Sequence, residues 1–243
     1  IWAAGLTGES DWTKVSDQTG YDVWRYGDGG SDYYFNCMDV GASERNPYRT
    51  SGCTSYADYT VDRQFCGYSG NGYAYMRTDT DDVNPGTTGV YVGTRKSAVY
   101  INDGVDYLII ENLDLRGPTG GPNGTPSSAN NASVFYNNGG EHITVQDCSL
   151  SHGKNHLYKV TGSGANNCTL KDSELKDAQT SIYVGYAGNY HWVTNNVVDT
   201  FGNVSGDTGD REGIAACYKS DYCYVTDNFV TNQGRSGDDA DSA

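Results

Sequence analysis

The stretch Val105-Asp106-Tyr107-Leu108-Ile109-Ile110-Glu111-Asn112-Leu113-Asp114-Leu115-Arg116-Gly117 decides the fold. It contains one short apolar strand through Ile110, a turn at Asn112 and a second strand closing at Leu115, and it follows a further strand at Val99-Tyr100-Ile101. The same unit recurs downstream: Val134-Phe135-Tyr136 runs to Val145, Leu157-Tyr158-Lys159 to Leu170, Ile182-Tyr183-Val184 to Val193, and Ile214-Ala215-Ala216 to Val225. The turn falls at Asn112, Asp147, Asp172, Asn195 and Asp227, and the closing strand at Leu115, Leu150, Leu175, Val198 and Val230. First anchor to second is 11 residues in four copies and 13 in the third, where Gly162-Ser163-Gly164-Ala165 lengthens the turn.

Between copies the spacing is 35, 23, 25 and 32 residues, counted from Val99 to Val134, Leu157, Ile182 and Ile214. A period of this size that absorbs insertions at one place marks a solenoid. Period-two alternation without a helix-length apolar run makes each copy a coil of strands. One coil cannot bury its own inward face, so the coils stack like on like. Two inward columns are predicted, Leu108, Ile143, Cys168, His191, Cys223 and Ile110, Val145, Leu170, Val193, Val225. Cys148, Ser173, Asn196 and Asn228, one residue past the turns, should stack partly as a polar ladder.

The quoted run, with echoes at residues 142–150 and 222–230, resembles the right-handed parallel β-helix of the pectate-lyase-like superfamily. The resemblance spans about residues 89 to 233 and implies an all-β fold, a β-solenoid with a loop-rich, aromatic N-terminal segment. Residues 1–88 are expected to form that capping segment and irregular early coils, and residues 89–243 the regular coils and an acidic tail. The superfamily includes lyases, hydrolases, epimerases, tailspikes and non-catalytic adhesins, so the fold leaves the activity open. It implies a binding groove beside the first sheet, walled by the long insertions at residues 117–133 and 199–213. The Arg-x-Pro-x-x-Arg motif of pectate lyases is absent, since Arg45-Asn46-Pro47-Tyr48-Arg49 is one residue short. The Asn-Thr-Asp, Gly-His-Gly and Arg-Ile-Lys set of polygalacturonases is absent too.

Lys and Arg number 16 against 31 Asp and Glu, a net charge of -15. That balance opposes a nucleic-acid partner, whose affinity rests on basic neutralisation of phosphate. No run of 18 apolar residues is present, so no helical membrane span is expected. Seven cysteines without a CxxC pair point to disulfides and an extracellular or cell-surface location. Cys168 and Cys223 share a column two coils apart, too far to bond, and Cys217 with Cys223 is the more plausible local pair. Residues 1 to about 50 carry Trp2, Trp12, Trp24 and Asp32-Tyr33-Tyr34-Phe35 without clean periodicity and are expected to form loops over the first coil. Val90-Tyr91-Val92 is expected to enter the regular part.

Several groups are candidates for chemistry. Tyr100, Phe135, Tyr158 and Tyr183, followed by Ala215, occupy the expected outward centre of the first strand. Coils about 4.8 Å apart would line these rings into a stripe that stacks on sugar rings, or on each other beneath a covering segment. Ser151-His152-Gly153-Lys154-Asn155-His156 is dense in proton-transfer groups, and Lys154 or His156 is the candidate base of a β-eliminating lyase, with Arg211 holding a carboxylate. Equally, Lys154 reads as a solvated loop charge and His156 as a strand-edge residue. Asp207, Asp210 and Glu212 offer hard oxygens suited to Ca²⁺, or form a solvated acidic turn. Asn123, Asn131, Asn167 and Asn203 head glycosylation sequons. After Phe229-Val230 the chain turns polar through Gly234 to Ala243, so an uncovered last coil that stacks end to end on another copy is a further expectation.

Overall fold

The computed structural model describes residues 4–6, 8–18, 20–27, 33–34, 37–39, 65–66, 73–79, 83–87, 90–93, 97–117, 121–122, 133–153, 156–178, 180–201 and 212–231. From Val99 onward the regular elements among the described residues are all strands, and the chain visits three parallel sheets in turn, five times over. The first sheet takes Val99–Asn102, Ser133–Asn138, His156–Gly162, Thr180–Ala187 and Ile214–Tyr218. The second takes Ile109–Glu111, Thr144–Gln146, Thr169–Lys171, His191–Thr194 and Cys223–Thr226. The third takes Asp114–Arg116, Ser149–Ser151, Glu174–Ala178, Val197–Phe201 and Phe229–Thr231. Each pass is one layer, and each strand pairs in parallel with its counterparts in the adjoining layers.

The corner between second and third sheets is set by single residues. Asn112, Asp147, Asp172, Asn195 and Asp227 all lie at φ between 51° and 57°, in the left-handed region. Asn and Asp tolerate that region because their short polar side chains bond locally. The corner puts Ile110, Val145, Leu170, Val193 and Val225 in one column and Leu115, Leu150, Leu175, Val198 and Val230 in another. Between them runs the polar ladder. Cys148 N donates to Ser173 Oγ (3.1 Å), Ser173 N to Asn196 Oδ1 (3.1 Å) and Asn196 N to Asn228 Oδ1 (3.0 Å). Buried backbone donors that the corner takes out of sheet pairing thus find side-chain acceptors.

The first sheet departs from expectation by one residue. Val99 pairs with Phe135, Phe135 with Tyr158, Tyr158 with Ile182 and Ile182 with Ile214, so Phe135 and Tyr158 belong to the inward column. Their rings are 0% and 1% exposed and stack on each other at 5.1 Å with planes 5° apart. In the second layer the cause lies in the turn that follows. Asn137 bonds both polar groups of Gly140, its Oδ1 accepting from N and its Nδ2 donating to O at 2.8 Å each. A Cβ on Gly140 would lie 2.6 Å from Val105 O, so only glycine allows this tight turn, and the second layer reaches its next sheet one residue sooner.

The N-terminal residues also differ from a loop-rich segment. Trp12–Gln18, Tyr21–Tyr26, Ala74–Thr78 and Phe65–Cys66 form a four-stranded antiparallel sheet, and Trp24 Nε1 donates to Thr78 Oγ1 at 3.1 Å. Val90–Gly93 does not enter the parallel stack. It pairs antiparallel with Ala4–Leu6 and Cys37–Asp39.

Candidate functional site

With the register corrected, the outward column of the first sheet reads Tyr100, Tyr136, Lys159, Tyr183, Ala215. Tyr100 is 51% exposed and meets the edge of Tyr136 at 5.2 Å. Lys159 Nζ sits between two rings, 5.4 Å from the centre of Tyr136 and 5.5 Å from that of Tyr183. The Tyr183 ring folds back over its own strand: a Cβ on Gly185 would lie 2.6 Å from the Tyr183 hydroxyl, so glycine is required beneath it. Beside the rings runs a row of amides and hydroxyls. Asn138 Nδ2 donates to Tyr100 Oη at 3.2 Å, Tyr136 Oη lies 3.0 Å from Thr161 Oγ1, and Asn138 pairs in register with Asn102 and Thr161. Flat apolar faces flanked by hydrogen-bonding groups suit a sugar ring, whose C–H faces are apolar and whose rim is hydroxylated.

The electrostatics of this face centre on Lys159. Its side chain is 7% exposed, and burial pushes the ammonium down to about 8 from its ordinary 10.5. The two ring faces attract the cation, and loss of hydration on burial opposes the charged form. His156 lies alongside, its ring 5.1 Å from that of Tyr183. The residue keeps some exposure while its Nδ1 is sealed from solvent, and burial, reinforced by the Lys159 charge, pushes the imidazole down to about 3. His156 is therefore neutral throughout the physiological range. Burial, then the neighbouring Tyr186, Tyr218 and Glu212, holds the Tyr183 phenol above its usual value, so it stays protonated.

The face continues past the fourth layer. Tyr186 and Tyr218 meet at 5.0 Å, and Lys219 Nζ lies 4.7 Å from the Tyr186 ring centre. All three are exposed.

The structure places the expected site residues unevenly. Tyr100, His156 and Tyr183 lie on or beside this face, whereas Phe135 and Tyr158 are core residues and cannot touch a ligand. Lys154, Arg211, Asp207 and Asp210 lie outside the described residues. Glu212 is half-buried, with its carbonyl oxygen accepting from Ser181 N at 3.1 Å, and no cluster of three metal-ligating side chains occurs among the described residues. The residues missed from sequence are Lys159 and Tyr136. A signal for the first was present: apart from His156, Lys159 is the one ionisable cation in the five first-sheet strands. No protein family, curated protein or solved structure matches the chain.

Proposed function

We propose that this chain is an extracellular, right-handed parallel β-helix that binds an acidic polysaccharide along the outer face of its first sheet and cleaves it by β-elimination. The observation that carries this is Lys159, an amine held between two tyrosine rings with its ammonium near 8. A general base works best when its pKa lies near the working pH. In β-elimination the neutral Lys159 amine removes the proton on the carbon next to the uronate carboxylate. The electron pair enters that carboxyl group as an enediolate, then returns to form the C=C bond as the glycosidic oxygen departs. Tyr183, kept protonated, is the acid on the same face that supplies the departing oxygen with its proton. Arg211 and a Ca²⁺ ion held by Asp207, Asp210 and Glu212 are the groups this reading assigns to the substrate carboxylate, offsetting repulsion from a chain of net charge -15.

The test is an absorbance assay for unsaturated product on pectate, alginate and glycosaminoglycans, with Ca²⁺ and with EDTA, from pH 6 to 10. Product should appear faster as pH rises through about 8, the value to which Lys159 is held. No product and no binding with any of these glycans would end this reading.

One observation favours a second, non-catalytic reading in which copies stack end to end as a structural or adhesive fibre. Val225 and Val230 in the fifth layer are 44% and 38% exposed, although the same columns are sealed in the third layer at Leu170 and Leu175. Light scattering that reports filaments, together with no glycan product, would favour it. A monodisperse monomer at high concentration would exclude it.

A further inference from the structure

Two thiols in the fifth layer have no part in the proposed chemistry. Cys217 lies in the last first-sheet strand and Cys223 opens the last second-sheet strand, and both are partly exposed. Neither is disulfide-bonded, yet the two lie near enough for the Cys217 thiol and backbone to act on the Cys223 thiol. Cys217 reaches this position through a break in the pairing. The fourth and fifth layers slip register between Tyr183 and Gly185, and Cys217 takes φ 71°, a left-handed conformation unusual for cysteine. Ser220 N then donates to Cys217 O at 3.4 Å, drawing in the loop between the two sulfurs. That loop, residues 218–222, carries the exposed Tyr218, Lys219 and Tyr222. The other described cysteines with placed side chains, Cys148 and Cys168, are buried in the second and third layers.

We propose that Cys217 and Cys223 form a reversible disulfide that staples the first-sheet and second-sheet strands of the fifth layer and fixes the aromatic loop between them. A low-molecular-weight disulfide such as oxidised glutathione is the oxidant. The Cys217 thiolate attacks one of its sulfurs and expels one glutathione thiolate. Cys223, after losing its proton to solvent, attacks the Cys217 sulfur of the mixed disulfide and expels the second. One protein S–S bond forms, one small-molecule S–S bond breaks, and two glutathione thiols result. Burial, then the neighbouring thiol, pushes the Cys223 thiol up, which slows its own attack on the small disulfide.

Peptide mapping tests this on the full chain. Trypsin cuts after Arg211, Lys219 and Arg235, so the two cysteines fall on separate peptides, residues 212–219 and 220–235. After equilibration with oxidised glutathione and alkylation of remaining thiols, these peptides should run as one linked species that separates on reduction. The oxidised chain should melt at a higher temperature than the reduced chain, and Cys217→Ser should remove the difference. Alkylated thiols on both peptides, a persistent glutathione adduct, or linkage of either peptide to Cys37, Cys53 or Cys66 would overturn the proposal. The mapping uses the unmutated chain, so the result stands even where the variant fails to fold.

Discussion

At the scale of single residues the fold rests on left-handed corners and the site on a desolvated amine. Asp147 is an exposed corner residue at φ 51°. A β-branched residue there costs about 1–2 kcal/mol, the penalty of the left-handed region for a side chain without local hydrogen bonding. Asp147→Val should therefore lower the urea midpoint without changing the slope, while Asp147→Gly should leave it unchanged or slightly higher. At the site, Lys159 sets function against stability. Because its folded value is about 8 against 10.5, the amine is charged in both states below pH 8, and the folded state bears the desolvation. That penalty disappears as pH rises from about 8 to 10.5, since in this window the unfolded state binds the proton and the folded state does not. Lys159→Met should raise the melting temperature at pH 7, narrow the gap to the unmutated chain as pH approaches 10, and abolish product formation. His156 acts at the acid end. Its folded value of about 3 lies below the ordinary 6.5, so stability is lost as pH falls from about 6.5 toward 3, and His156→Gln should flatten that part of the acid-unfolding curve.

At the scale of elements, the second and third sheets could be written from the sequence and the first could not. In the second sheet the apolar residue alternates with polar neighbours, as in Thr144-Val145-Gln146 and Thr169-Leu170-Lys171, so only one register buries the right face. In the first sheet Val134, Phe135 and Tyr136 are all buried, and so are Leu157, Tyr158 and Lys159, which leaves no alternation to read. A count of 11 residues between anchors in four copies and 13 in the third then fixed the register, and the shorter turn at Gly139-Gly140 broke that count in the second. A one-residue slip exchanges the faces of a strand, which is why Phe135 and Tyr158 read as outward. The polar ladder was legible because each member follows a corner residue at a fixed step. Its energetics are testable. Asn196 is 1% exposed, accepts from Ser173 N and donates to Leu170 O at 3.2 Å, so alanine there leaves a buried donor and a buried acceptor without these partners. Asn196→Ala should cost about 2–3 kcal/mol. Asn228→Ala, one layer on and partly open to water, should cost less, and equal losses from chemical denaturation would count against the ladder as the reason.

At the scale of the whole molecule, stability should grade along the stack. Layers touch only their neighbours, so the free energy is a sum of layer and interface contributions, as in a one-dimensional chain. The third layer is covered on both sides, with Leu170, Leu175 and Cys168 sealed. The first layer exposes Tyr107 and Ile109 on its outer side but keeps Ile101 and Leu115 buried. The fifth layer has a described neighbour on one side alone, and Tyr224, Val225, Phe229 and Val230 are all exposed. Among the described residues, opening that layer disrupts one interface, whereas opening the third disrupts two. Native-state hydrogen exchange at low protein concentration should accordingly find the amides of residues 169–171 slowest and those of 223–226 fastest among the second-sheet strands. Uniform protection across all five layers would contradict a stack held by nearest neighbours. Raising the protein concentration separates the two functional readings. A chain that works as a monomer keeps the same gradient, whereas a chain that stacks end to end slows exchange in residues 214–231 selectively, because a partner's strands then accept and donate the hydrogen bonds of the open edge.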